Sequence, residues 1–249
     1  MSRRPAREVP AVPRPAATVV VARPAAPPLE VLLLRRPARA RFAGGAWVFP
    51  GGAIDEDDHS PVWTGRLPPV GEPTACVAAL RELFEETGIL PGSWSGENPA
   101  RLADARRALL ASRVRFSEVA EPLRIEFSSL RVVYFARWIT PRNAALRFDT
   151  RFFLLGTGAR PGPVRLTSEH ERSLWTTPAD ALQRFAAGKL PMLFPTVKTL
   201  ERLAAFASLE AALEALRDVT VAPTLVKPHE GAGRVRPPGP GDPGCDEVP

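Results

Sequence analysis

"LRELFEETGIL", residues 80–90, places Glu82, Glu85 and Glu86 at spacings i, i+3 and i+4. Like charges so spaced repel on a helix by about 0.2–0.5 kcal/mol per pair. At about 100° per residue, Val77, Leu80 and Phe84 fall in one narrow arc. The three glutamates fall opposite, with Arg81 at their flank. The pattern predicts a helix with a core stripe and an acidic stripe. A solvated acidic face is the plain reading, but no lysine is interleaved to relieve the repulsion. Arg81 and Glu85 can pair, which leaves Glu82 and Glu86 most free to ligate. Clustered carboxylate oxygens suit a hard divalent cation, Mg²⁺ or Mn²⁺.

Working outward, Pro73 suits the first turn of this helix and Gly88 its C-terminal cap, which bounds it at residues 73–87. Upstream, β-rich runs at 16–23, 30–36 and 46–52 read as three strands, the third stopped by Pro50 and a glycine pair. Downstream, 98–114 reads as a helix, 131–140 and 150–158 as strands, and 177–188, 196–207 and 209–218 as helices. Strands and helices interleave without a repeat, which indicates an α/β domain.

Of 29 prolines, four lie in residues 1–16 and six in residues 228–249. Both ends lack apolar periodicity, so 1–16 and 227–249 are expected to be disordered tails around one domain at 17–226. The net charge of +6 includes +3 from residues 1–16 and −1 from 227–249, leaving about +4 for the middle. So mild an excess suits phosphate-bearing small molecules and gives no reason to invoke nucleic acid. Two cysteines provide neither a disulfide framework nor metal-ligand spacing, and Cys76 falls on an apolar helix stretch as a core residue. No apolar run could span a bilayer and no secretory segment leads the chain; a cytoplasmic protein is expected. The oligomeric state is not legible.

"RELFEETGI" resembles the second half of the Nudix box, G-x5-E-x7-R-E-U-x-E-E-x-G-U, with U apolar. Arg81, Glu82, Leu83, Glu85, Glu86, Gly88 and Ile89 match in register. In the first half, Gly52 followed by five residues reaches Asp58, an acid where the family has Glu. Residues 59–80 then number 22 where the pattern has seven, so the box carries a 15-residue insertion. Loop insertions are tolerated when their ends stay anchored. The insertion, 59–72, either covers the site or loops outward. A similar interruption marks the branch of the peroxisomal coenzyme A diphosphatases and their bacterial relatives. The signature before the box in coenzyme A-cleaving members is similar too: Arg35, Arg41, Gly45 and Phe49-Pro50-Gly51-Gly52 hold its spacing. The segments at 138–154 and 190–204 also resemble that branch.

The resemblance implies an α/β/α sandwich with a mixed sheet and helical additions, and metal-dependent hydrolysis of a diphosphate in coenzyme A or an acyl-coenzyme A. ADP-ribose or another nucleoside diphosphate is the alternative substrate; a catalytically silent module of the same fold is the non-enzymatic one. Glu82 and Glu86 are implied as principal metal ligands, Glu85 as ligand or orienter, and the Gly51 carbonyl as a further ligand. The proton acceptor is a box glutamate (Glu85 or Glu86) or Glu169 of "TSEHERSLW". Arg35 and Arg41 are candidates to grip phosphates, which the guanidinium does bidentately. Arg147 and Asp149 are expected to pair with each other, and His59, His170 and His229 to lie on the surface.

Overall fold

The computed structural model describes residues 11–25, 28–94 and 98–227, together with the backbone of 245–247. The strand β1 (Arg14–Pro24) is followed by β2 (Leu29–Arg35), β3 (Trp47–Val48) and β4 (Gly51–Ala53). Two short 3-10 turns, Glu56–His59 and Pro61–Trp63, precede helix α1 (Pro73–Thr87). Then come α2 (Pro99–Leu110), α3 (Phe116–Ala120), β5 (Arg131–Ile139), β6 (Phe148–Gly156) and β7 (Arg172–Thr176). Three helices, α4 (Pro178–Ala186), α5 (Phe194–Ala204) and α6 (Leu209–Arg217), lead to β8 (Pro223–Val226) and β9 (Cys245–Glu247).

The strands form one mixed sheet in the order β3-β2-β1-β6-β5-β8-β9, with β4 on β1 and β7 on β2. β1 lies in its centre, parallel to β6, and its unbroken apolar run is what a strand covered on both faces requires. Val19 and Val21 join a core shared with α1, whereas Val20 and Ala22 join a second core shared with α4, α5 and α6. The alternation of side chains along a strand thus yields two helical layers around one sheet, the sandwich expected.

The single strand expected at 46–52 is two, because Pro50 interrupts the ladder; β3 pairs with β2 and β4 with β1. Along one edge, β1 is bonded to β4 at Ala16–Thr18 and to β2 from Ala22 onward. The sheet therefore splits between Thr18 and Ala22, and the split opens beside the glycine turn.

β1 begins at Arg14, inside the stretch expected to be a tail, and Cys245–Glu247 of the other tail pairs with β8. Residues 1–10, 228–244 and 248–249 of those tails, and with them His229, lie outside the described residues. Among the described residues no helix is long and apolar enough to cross a membrane. Cys76 is fully buried in the core, as expected.

Candidate active site

Helix α1 occupies the span read from the sequence. Pro73 sits at its start, and Gly88 closes it in the left-handed conformation (φ 75°), donating its N–H to the Phe84 carbonyl. Arg106 of α2 adds hydrogen bonds to the Phe84 and Glu85 carbonyls at 2.7–3.1 Å, placing a cation at the negative end of the helix. The acidic stripe is not the solvated face of the plain reading: it lies largely under neighbouring chain. Arg81 and Glu86 are buried, and Glu82 and Glu85 are half-buried. The reason is β4, which packs the glycine turn across that side of the helix.

Arg81 is the first cation among these acids. Its Nε donates to Asp58 Oδ1 (2.9 Å) and its Nη2 to Oδ2 (3.1 Å) and to the Ala53 carbonyl (2.9 Å). Its Nη1 reaches Glu82 Oε1 at 2.9 Å and Glu85 Oε1 at 3.4 Å. Asp58, reached only by reading across the insertion, is thus the buried partner of Arg81, and Asp55 N–H donates to it as well (2.8 Å). The insertion does not cover the site. Trp63 is buried among Phe116 and Phe127, with ring centroids at 4.8 and 5.9 Å, and Val62, Leu67 and Val70 pack on the same core.

One guanidinium cannot compensate four carboxylates. Among the described residues no arginine or lysine forms an ion pair with Glu86, which feels the charge of Arg36 only from a distance; its Oε2 accepts from Gly51 N–H at 3.0 Å, and its Oε1 lies 3.7 Å from His170 Nε2. Burial, then the charge of Glu82, pushes the Glu86 carboxyl well above the usual range. Burial also pushes Glu82 up to about 7, against the pull of Arg81, and raises Glu85. For Arg81, burial opposes the charge, but Asp58, Glu82 and Glu85 outweigh it and hold the group protonated. Buried carboxylates in such surplus disfavour their own ionised forms unless a cation joins them.

Does this set fit a divalent ion? Among the described residues no three acidic, histidine or cysteine side chains close into a ready-made coordination shell. Arg81 Nη1 draws Glu82 and Glu85 to itself, and Glu86 is turned toward Gly51. The donors are nonetheless all hard oxygens, more numerous than the one guanidinium that pairs with them and partly desolvated, which is the chemistry Mg²⁺ or Mn²⁺ selects. Gly52 fits the same purpose: a Cβ there would fall on the Glu82 carboxylate.

Beside the acids lies a cavity of about 570 Å³ lined by Gly51, Gly52, Glu82, Glu85 and Glu169 together with Arg14, Arg36 and Arg41. Phe42, Phe148, Trp138 and Leu193 add an apolar wall. Arg14 is opposite Phe148 and Thr18 opposite Phe152 in the β1–β6 register. At about 3.3 Å per residue, this end lies roughly 13 Å along the strand from Thr18, which pairs with Gly51. Glu169 is exposed, and no ion pair engages its carboxylate among the described residues.

Of the sequence candidates, Arg41 lines the cavity and Arg35 does not. Arg35 is in β2, opposite Trp47 and Arg172, and its neighbour Arg36 faces the cavity instead. Adjacent residues leave a strand on opposite sides, so the motif's spacing could not decide between them. Asp149 does not pair with Arg147 as expected; it is gripped by Arg137 (2.8 and 2.6 Å) and Arg151 (3.0 Å). Arg147 instead donates to the Thr140 and Ala11 carbonyls. His59 is exposed, but His170 is buried against Glu86, because the chain turns inward immediately before β7.

A family model described as the NUDT19 Nudix domain matches residues 68–203. Acyl-coenzyme A diphosphatase NUDT19 of Xenopus laevis is 26% identical over 230 residues, covering 72% of this chain and 60% of that protein. The Homo sapiens protein of the same name is 28% identical over 250 residues, covering 79% of this chain and 66% of its own. The chain thus spans less than two thirds of the length of these curated relatives. A crystal structure of a NUDIX hydrolase from Alicyclobacillus acidocaldarius superposes with a TM-score of 0.70 at 34% identity, covering 84% of this chain and 99% of that one.

Proposed function

The chain belongs to the Nudix hydrolases, and from that premise we propose that it hydrolyses the diphosphate of coenzyme A or an acyl-coenzyme A, with Mg²⁺ or Mn²⁺ as cofactor. The observation that carries this reading is the cavity itself, whose wall brings Glu82, Glu85 and Glu169 together with Arg14, Arg36 and Arg41. Curated relatives named acyl-coenzyme A diphosphatase support the substrate class.

Glu82 and Glu86, with Glu85 and the Gly51 carbonyl, would hold the cation. Once bound, it supplies charge neutralisation at the phosphate oxygens and a lowered pKa for the attacking water. Arg14, Arg36 and Arg41 grip phosphates, fixing the anhydride against the acidic cluster. Phe42, Phe148 and Trp138 offer flat or apolar surface to the adenine or the thioester arm. Glu169, uncommitted to any arginine, takes the proton from water as its oxygen bonds to phosphorus. The anhydride P–O bond breaks, giving 3′,5′-ADP and a phosphopantetheine. A silent module would have no use for self-repelling buried acids.

Initial rates on coenzyme A, an acyl-coenzyme A, ADP-ribose and a dinucleoside polyphosphate, each with Mg²⁺ or Mn²⁺, test the reading. The expected result is that coenzyme A or its thioester gives the highest kcat/KM, with both products seen by mass spectrometry. Turnover of ADP-ribose with none of coenzyme A rejects the substrate assignment, and no turnover of any of them rejects the enzymatic one.

A further inference from the structure

His170 lies at a place where no polar ring should be left alone. Its side chain has no solvent exposure, and neither Nδ1 nor Nε2 has a hydrogen-bond partner among the described residues. Burying an unpaired donor or acceptor is costly, and here two on one ring are buried together. The backbone that carries the ring is tied down: His170 N–H donates to the Thr167 carbonyl at 3.3 Å and Glu171 N–H to the Arg35 carbonyl at 2.8 Å. Nε2 points at Glu86 Oε1 across 3.7 Å. A hydrogen bond needs about 2.9 Å, so a movement of less than 1 Å separates the two.

We propose that His170 is a positioning residue for Glu86. Its Nε2–H holds Oε1 as the Gly51 N–H holds Oε2, fixing the plane of a carboxylate that ligates the divalent ion. The inference rests on the reading of Glu86 as a metal ligand. A single N–H donated to one oxygen orients the carboxylate while leaving lone pairs for the ion. Arg81, which is charged, could not serve Glu86 in this way without competing with the cation. Outer partners of this kind change metal affinity by about 10–100-fold when removed.

The test is Mn²⁺ affinity, read from the paramagnetic resonance signal of the free ion, for wild type, His170→Leu, His170→Gln and His170→Asn. Glutamine can place its amide N–H near Nε2; asparagine can place one only near Nδ1. Expected are losses of about tenfold or more for Leu and Asn, with Gln within about threefold of wild type. Leucine should not lower the unfolding midpoint, since it removes two unpaired buried nitrogens. Wild-type affinity in the Leu variant, or equal loss in Gln and Asn, overturns the inference. If the Leu chain fails to fold, the Gln–Asn comparison decides alone. If wild type binds no Mn²⁺, the metal-site reading itself falls, and the inference with it.

Discussion

Glu82 and Glu86, the cation ligands we propose, are held where burial disfavours their charge. Glu82 keeps its proton to about pH 7 in the metal-free fold, whereas a carboxyl of its kind ordinarily titrates at 4.5. Between those values the native state holds a proton that the unfolded chain has released, so metal-free stability falls as pH rises through that window. Glu82→Gln removes the effect and is expected to stabilise the metal-free protein at pH 8 by about 1–2 kcal/mol, measured by urea unfolding. Destabilisation at pH 8 would contradict it. Because a cation would bind the ionised forms of Glu82 and Glu86, both of which burial holds protonated above the usual range, Mn²⁺ affinity is expected to rise from pH 6 to pH 7, and a flat profile would contradict it. Asp58→Ala leaves Arg81 Nε without its carboxylate acceptor, although Glu82 and Glu85 still meet Nη1, and is expected to cost about 1–3 kcal/mol. A loss under 1 kcal/mol in the same unfolding experiment would show the pair to be unimportant.

At the scale of elements, α1 was legible because its register, its proline start and its glycine cap are local signals. Asp58 is legible through the interruption because five residues separate it from Gly52, a spacing the insertion leaves intact. What could not be read depends on distant chain. Arg36 shows itself only where the chain leaves β2, and His170 only because the turn before β7 packs on α1. The place of the insertion depends on Phe116 and Phe127, more than 50 residues beyond Trp63. Trp63→Ala is therefore expected to destabilise by about 3–5 kcal/mol while leaving KM for the substrate within about twofold, assayed below its unfolding midpoint. A tenfold rise in KM would instead make the insertion part of the binding wall. β8 escaped notice as four residues after a helix, too few to display a period.

For the whole molecule, the split of the sheet between Thr18 and Ala22 joins these features. It lets β4 carry the glycine turn onto α1 and leaves the floor of β1 and β6 open beneath it. Sandwich, acidic helix and arginine-bearing cavity are then consequences of one arrangement, whose central claim is that the surplus carboxylates await a divalent cation. Calorimetric titration of the wild-type chain and Glu86→Gln with Mn²⁺ at pH 8 tests that claim most directly. Saturable uptake by wild type, weakened at least tenfold in the variant with its fold intact, is the predicted result. Absence of uptake by wild type, with or without 3′,5′-ADP present, or equal uptake by both proteins, would contradict it.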